Sequence, residues 1–264
     1  MSALSSLRIG LVAYANALPL EVCLAQPLPD ARLVWDIPAN LGAMLARNEL
    51  DAAMLSSIEL GRCPEYGFIP GIGICSDGPV RSVCLFTKKD PVQVETVALD
   101  TSSLTSVILL RILFAEFWRH QPRFVWYSPP VEEGLRVADA ALSIGDPTLN
   151  SHDLPVRKID LGETWKAFTG LPFVYAVWIV RPGLHPADLV TPFAEAKRLG
   201  LARVDQIAEQ CAEKSLLDAE FFRRYFKENL TYDLGERELQ GMTLFFAKAK
   251  PFLDRNSAVR ERLP

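Results

Sequence analysis

The stretch TVALDTSSLTSVILLRILFAEFW, residues 96–118, decides how this 264-residue chain is read. Residues 96–99 form a short apolar run of strand type, which a polar break at Asp100-Thr101-Ser102-Ser103 ends. Over residues 102–118, Leu104, Val107, Ile108, Leu110, Ile112, Leu113, Phe114 and Phe117 cover nearly the whole circumference of a helix. A helix apolar on most faces is buried, and a strand leading straight into it is half of a β-α-β unit.

Downstream, residues 123–127 read as a strand, 131–137 as a helix and 140–144 as a strand, which completes a β-α-β-α-β unit. Upstream the same alternation occurs: a strand at 7–14 ended by Asn16 and Pro19, a helix at 19–25, a strand at 32–37, a helix at 40–48 and a strand at 51–56. Parallel strands with right-handed crossovers are the economical arrangement of both. Between them lie residues 68–75 and 82–88, separated by Asp77-Gly78-Pro79 and expected to reverse direction. Residues 153–161 add an edge segment, 163–168 a short helix, and 173–180 an apolar stretch closed by Pro182. From His185 the pattern is helical almost to the end, with no further strong strand. Extended crossings near 87–93 and 177–182 place the second unit inside the first. The expected fold is α/β and two-lobed, with lobe one at 1–89 and 180–264, lobe two at 90–179, and a cleft between them.

Composition narrows the class. A hydrophobic content of 49% supplies a core, and a net charge of -4 with scattered Lys and Arg argues against a nucleic-acid partner. The first residues lack a basic n-region, and their apolar run is interrupted by Asn16 and Pro19, so neither a signal peptide nor a membrane span is expected. A cytoplasmic protein without membrane contact follows. Cys23, Cys63, Cys75, Cys84 and Cys211 are odd in number and lack CxxC spacing, which suits reduced packing residues.

In open parallel sheets, ligands sit beyond the carboxyl ends of strands. The loops there carry Tyr14 and Asn16, Ser57, Asp100 to Ser106, and Gly145-Asp146. Asn16 offers two donors and an acceptor without charge. Asp100 to Ser106 holds five hydroxyls, more than one helix cap and a turn consume. Free amides at a helix start favour an anion, by about 0.3–2 kcal/mol from the dipole alone. A carboxylate ligand suits this stretch, with Asp100 shaping the loop.

His120, His152 and His185 fall away from these strand ends and read as surface residues. No GxSxG, Walker A, GxGxxG or HExxH pattern occurs, and Gly71-Ile72-Gly73 lacks a third glycine and a following helix. Phe221, Phe222, Tyr225 and Phe226 are core at helical spacing, with Arg223 and Arg224 solvated. Trp165 and Phe168 either wall the cleft or pack a hinge.

The assembled segments resemble the MqnA family, the chorismate dehydratases of the futalosine route to menaquinone. The resemblance is carried by Arg8-Ile9-Gly10, Tyr14-Ala15-Asn16-Ala17-Leu18-Pro19-Leu20, Ser57-Ile58-Glu59 and Ile72-Gly73-Ile74-Cys75-Ser76-Asp77-Gly78-Pro79-Val80-Arg81-Ser82-Val83. It continues through Val97 to Ser103, Thr105-Ser106, Ile144-Gly145-Asp146-Pro147 and Thr169 to Trp178. It implies a type II periplasmic-binding-protein-like fold and a cytoplasmic lyase. That enzyme converts chorismate to 3-(1-carboxyvinyloxy)benzoate by stepwise elimination, with no metal or organic cofactor. Asn16 is then the candidate catalytic residue, and Tyr14, Asn40, Ser57, Ser82, Ser102, Ser103, Thr105, Ser106, Gly145 and Asp146 are candidate substrate contacts. No protein base stands out, and the substrate's enolpyruvyl carboxylate can serve. Family members often carry Ser where Ala13 stands and Arg where Leu104 stands, so contacts from those side chains are absent. The sister naphthoate synthases, MqnD, place a histidine near the last strand of lobe two, where this chain has Ile144-Gly145-Asp146-Pro147. An organic-anion binding protein is the alternative from another class.

Overall fold

A computed structural model of the chain describes residues 7–151 and 154–253. Its strands are β1 (Arg8–Leu11), β2 (Arg32–Trp35), β3 (Ala52–Ser56), β4 (Gly67–Ser76), β5 (Val83–Thr87), β6 (Thr96–Asp100), β7 (Arg123–Tyr127), β8 (Ala140–Ile144), β9 (Arg157–Asp160), β10 (Phe173–Val180) and β11 (Thr231–Leu234). They form two sheets, ordered β11-β4-β10-β3-β1-β2 and β7-β6-β8-β5-β9.

In the first sheet β1 pairs in parallel with both β2 and β3, as a β-α-β-α-β start requires. In the second, β6 pairs in parallel with β7 and β8. The inner strands are short and apolar on both faces: β3 is AAMLS and β8 is AALSI, buried along nearly their whole length. β2, at an edge, is only partly covered. Antiparallel additions complete each sheet, with β10 on β3, β11 on β4, and β5 between β8 and β9.

The chain divides into two compact units. Within the described residues, the first comprises 7–75 and 174–239, and the second 76–151, 154–173 and 240–253. The second unit is thus inserted in the sequence of the first, but the crossings differ from those read in the sequence. β5 hydrogen-bonds within the second sheet, so the change of unit falls at residue 76, not near 87–93. β10 belongs to the first sheet, so the return falls at 174, and residues 240–253 of the last helix, Glu236–Leu253, pack with the second unit. For the same reason the segments around Asp77-Gly78-Pro79 do not form a hairpin.

Other differences have local causes. The first strand stops at Leu11, and a 3-10 turn Ala15–Ala17 followed by the short helix Leu18–Glu21 takes up the next residues. The helix begun at Leu104 is α-helical to Ile112 and then widens into a π turn, Leu113–Phe117. β11 was not expected, because its four residues interrupt an otherwise helical tail. Gly71-Ile72-Gly73 lies inside β4, opposite a register shift in β11. The edge segment expected from 153 appears as β9; His152 and Asp153 lie outside the described residues.

The core reading of the aromatic cluster holds for Phe222, Tyr225 and Phe226, which are buried, whereas Phe221 is half-buried, and of the two arginines Arg224 is exposed and Arg223 half-buried. Trp165 is fully buried, donates from Nε1 to the Pro172 carbonyl (3.2 Å), and meets Phe173 and Phe245 edge-on. It is a packing residue of the second unit. Among the described residues no helix is long and apolar enough to cross a membrane.

Candidate active site

At one end of the second sheet, the carboxyl ends of β6 and β8 lie beside the start of the antiparallel β5. This brings together Ser82, the Asp100 to Ser106 stretch, and Gly145-Asp146. Ser82 and Gly145 are tied directly, Gly145 N–H donating to the Ser82 carbonyl at 2.7 Å. Gly145 takes φ +73° and ψ -151°, a conformation that favours glycine and ends β8 abruptly before the helix Asp146–Asn150. Asp146 is half-buried as that helix's first residue.

The hydroxyls divide into two groups. Ser102 donates its Oγ proton to Asp100 Oδ1 at 2.5 Å, and its backbone N–H reaches the same oxygen at 2.8 Å. Ser103 is the helix cap, with Oγ accepting from Ser106 N–H at 3.4 Å and lying 3.2 Å from Ser106 Oγ. Thr105 and Ser106 follow in the first turn, both buried, beside the amides that a helix start leaves without intrahelical partners. Ser82 is buried too, and its backbone segment is anchored by Asp160, whose carboxylate accepts from Val80 N–H (3.1 Å) and Arg81 N–H (2.6 Å).

In the first unit, the ends of the parallel strands β1 and β3 carry Tyr14, Asn16 and Ser57. Ala17 N–H closes the 3-10 turn onto the Tyr14 carbonyl (3.0 Å), and Tyr14 and Asn16 are half-buried on it. Just before, Val12 N–H donates to Glu21 Oε1 at 3.0 Å. Ser57 is fully buried and its hydroxyl proton goes to the Val174 carbonyl at 2.7 Å. Its position stitches the end of β3 to the start of β10. Asn40 is exposed in the first turn of the helix Pro38–Ala46, and its amide donates to Asp36 Oδ1 at 2.8 Å, ahead of that helix.

At these ends Arg81, exposed beside Ser82, and the half-buried Asp146 are the charged-type side chains outside the buried acids, and the other polar groups are amides and hydroxyls. No Lys or Arg lies between Asp100 and Ser106 or between Val12 and Glu21. Burial pushes the Asp100 carboxyl above the usual range against the Ser102 hydrogen bonds, and pushes Glu21 well above it against the Val12 amide. Burial likewise raises the Tyr127 phenol, whose hydroxyl donates to the Leu142 carbonyl at 2.6 Å. Such a set of amides and hydroxyls can hold and orient oxyanions without an ion pair.

Glu21 and Asp160 were not among the residues singled out from sequence. Asp160-Leu161-Gly162-Glu163 has the spacing of a capping box, and Glu21 is a lone acid in the apolar run LPLEVCL. The other reactive-looking groups stand apart. His120 Nε2 lies 2.6 Å from the Val94 carbonyl, and His185 is exposed ahead of the helix Pro186–Leu201. Burial pushes the Cys75 and Cys84 thiols up, away from the thiolate form.

A sequence model of the family described as menaquinone biosynthesis matches residues 7–251. The chorismate dehydratase of Thermus thermophilus is 32% identical over 256 residues, covering 90% of this chain and 93% of that protein. The chorismate dehydratase of Campylobacter jejuni is 27% identical over 250 residues, covering 91% and 96%. Among solved structures, a protein of Archaeoglobus fulgidus superimposes with a TM-score of 0.73 at 15% identity, over 95% of this chain and 98% of that one. The periplasmic aliphatic sulphonate binding protein of Escherichia coli does so with a TM-score of 0.65 at 16% identity, over 95% and 87%. The fold is therefore that of the periplasmic binding proteins, the two-lobed type expected from the alternating strands and helices.

Proposed function

The chain belongs to the menaquinone biosynthesis family, and from that membership we propose that it is a chorismate dehydratase, a cytoplasmic lyase that removes water from chorismate to give 3-(1-carboxyvinyloxy)benzoate. The observation that supports this reading is 32% sequence identity to the Thermus thermophilus enzyme, spread over 90% of this chain and 93% of that one.

The chemistry suits neutral donors. Chorismate is a dianion whose ring is one dehydration short of aromatic. Loss of the C3 proton leaves an electron pair delocalised toward the ring carboxylate. That pair then forms the new ring double bond as the C4–O bond breaks, and hydroxide leaves with a proton as water. Thr105, Ser106 and the adjacent helix amides hold one carboxylate and stabilise the charge that grows on it. Ser82 assists beside them, and Asn16 orients the departing hydroxyl. The enolpyruvyl carboxylate of the substrate takes the C3 proton, so no side chain need act as base.

The test is to mix the purified protein with chorismate and follow the aromatic product against a boiled control. Product formation at an enzymatic rate supports the reading. Chorismate bound but unchanged overturns it in favour of an organic-anion binding protein. Turnover of cyclic dehypoxanthinyl futalosine in its place overturns it in favour of the naphthoate synthase activity.

A further inference from the structure

β1 lies between β2 and β3 in the first sheet, and β6 between β7 and β8 in the second, so the two strands hold the same place in their β-α-β-α-β units. Beneath the loop that leaves each one is a carboxyl group, and both groups are bonded in the same incomplete way. Glu21 is 1% exposed; Oε1 accepts from Val12 N–H, the first residue beyond β1, while Oε2 is buried without a hydrogen-bond partner. Asp100, the last residue of β6, is also 1% exposed; Oδ1 accepts from Ser102 N–H and Oγ, the Ile144 amide nearby also favours the ionised form, and Oδ2 is buried without a hydrogen-bond partner. Among the described residues neither forms a salt bridge.

An ionised carboxylate so placed would leave one charged oxygen unsolvated and unpaired, which is among the costliest arrangements in a protein interior. Protonating that oxygen removes the charge and leaves the other oxygen free to accept. We propose that Glu21 and Asp100 are positioning residues in their acid forms, which fix the Asn16 loop and the Ser102 to Ser106 loop while keeping negative charge away from an anionic ligand. Burial raises both groups above their ordinary range, in keeping with this. Tyr127, the titratable neighbour of Asp100, is itself held neutral. The anionic ligand is that of the proposed dehydratase, and this part of the inference rests on that reading.

Two measurements test it. Infrared spectroscopy of the wild-type protein at neutral pH should show protonated-carboxyl C=O stretches that shift in deuterium oxide, one lost in Glu21→Gln and another in Asp100→Asn. Their absence overturns the proposal whether or not the protein turns over chorismate. In chorismate turnover, Glu21→Gln and Asp100→Asn, which keep the acceptor without charge, should stay within about threefold of wild-type kcat/KM. Glu21→Met and Asp100→Leu should fall by about tenfold or more, the loss expected when a buried hydrogen bond is removed. If the amide variants lose as much as the apolar ones, the carboxylates act through their charge and the proposal fails. Failure of wild-type turnover counts against the dehydratase reading alone.

Discussion

Replacing the Asn16 amide by a methyl group removes two donors and an acceptor from a turn that its own backbone keeps closed, through Ala17 N–H on the Tyr14 carbonyl. Asn16→Ala is therefore expected to fold normally and to lower kcat by about 10²-fold, the effect of losing one preorganised donor. Steady-state turnover of chorismate checks this, and an unchanged kcat rejects the role. Thr105→Val keeps the shape of a fully buried side chain and deletes its hydroxyl. kcat/KM is expected to fall about tenfold, with kcat lowered as well as KM raised, as for a lost hydrogen bond to a group whose charge grows in the reaction. These residues were legible because small polar residues at strand ends stand out from apolar surroundings. What each hydroxyl does was less so. Ser57 is committed to the Val174 carbonyl across 117 positions of sequence, and Asn40 to Asp36. Only folding reveals partners of the first kind, whereas the cap at Ser103 follows from local spacing alone.

Strands and helices are held by ties of a different kind. Asp51, just before β3, accepts from Arg8 at the start of β1 (3.0 Å) and from Arg181 just after β10 (2.8 Å), so three adjacent strands share one carboxylate. Burial opposes its ionisation, but the hydrogen bonds from Arg8 and Arg181 outweigh burial and bring its pKa from 3.8 to about 2. The folded value lies below the unfolded one, so the stability it contributes is complete above about pH 4 and is lost as pH falls through about 2. Asp51→Asn should lower unfolding stability by about 1.5–3 kcal/mol at pH 7 and flatten the acid limb of the curve between those pH values, read by urea denaturation. A second tie is a close approach: a Cβ on Gly200 would lie 2.0 Å from the Pro19 carbonyl oxygen. Gly200→Ala should destabilise by about 1–3 kcal/mol and raise KM for chorismate as well, because Pro19 lies three residues beyond Asn16. The elements of both β-α-β-α-β units were readable from apolar runs of 4–8 residues punctuated by polar breaks. β11 was not, since Thr231 to Leu234 is too short to show a period and gains its stability from pairing with β4.

At the scale of the whole molecule the insertion was legible but its borders were not. Borders depend on which sheet a strand joins, and β5 and β10 are equally apolar whichever they choose. The last helix was likewise expected to serve one unit, yet Phe245 on it packs edge-on against Phe173 (4.9 Å) and Trp165 (6.2 Å) of the second. Phe245→Ala should destabilise the protein by about 3–5 kcal/mol, measured by thermal or denaturant unfolding.

The strand order β11-β4-β10-β3 also bears on how the protein is made. On a ribosome β3 and β4 emerge early, but the strand that joins them is β10, which appears only after the whole of residues 76–173 has been synthesised. Until then both strands present unpaired edges, the kind of surface that sticks to other nascent chains. The second unit in turn waits for residues 240–253. The first sheet therefore cannot be completed until β10 and β11 have been made, so the unit that begins first in the sequence closes only after the strands of the inserted one have already emerged.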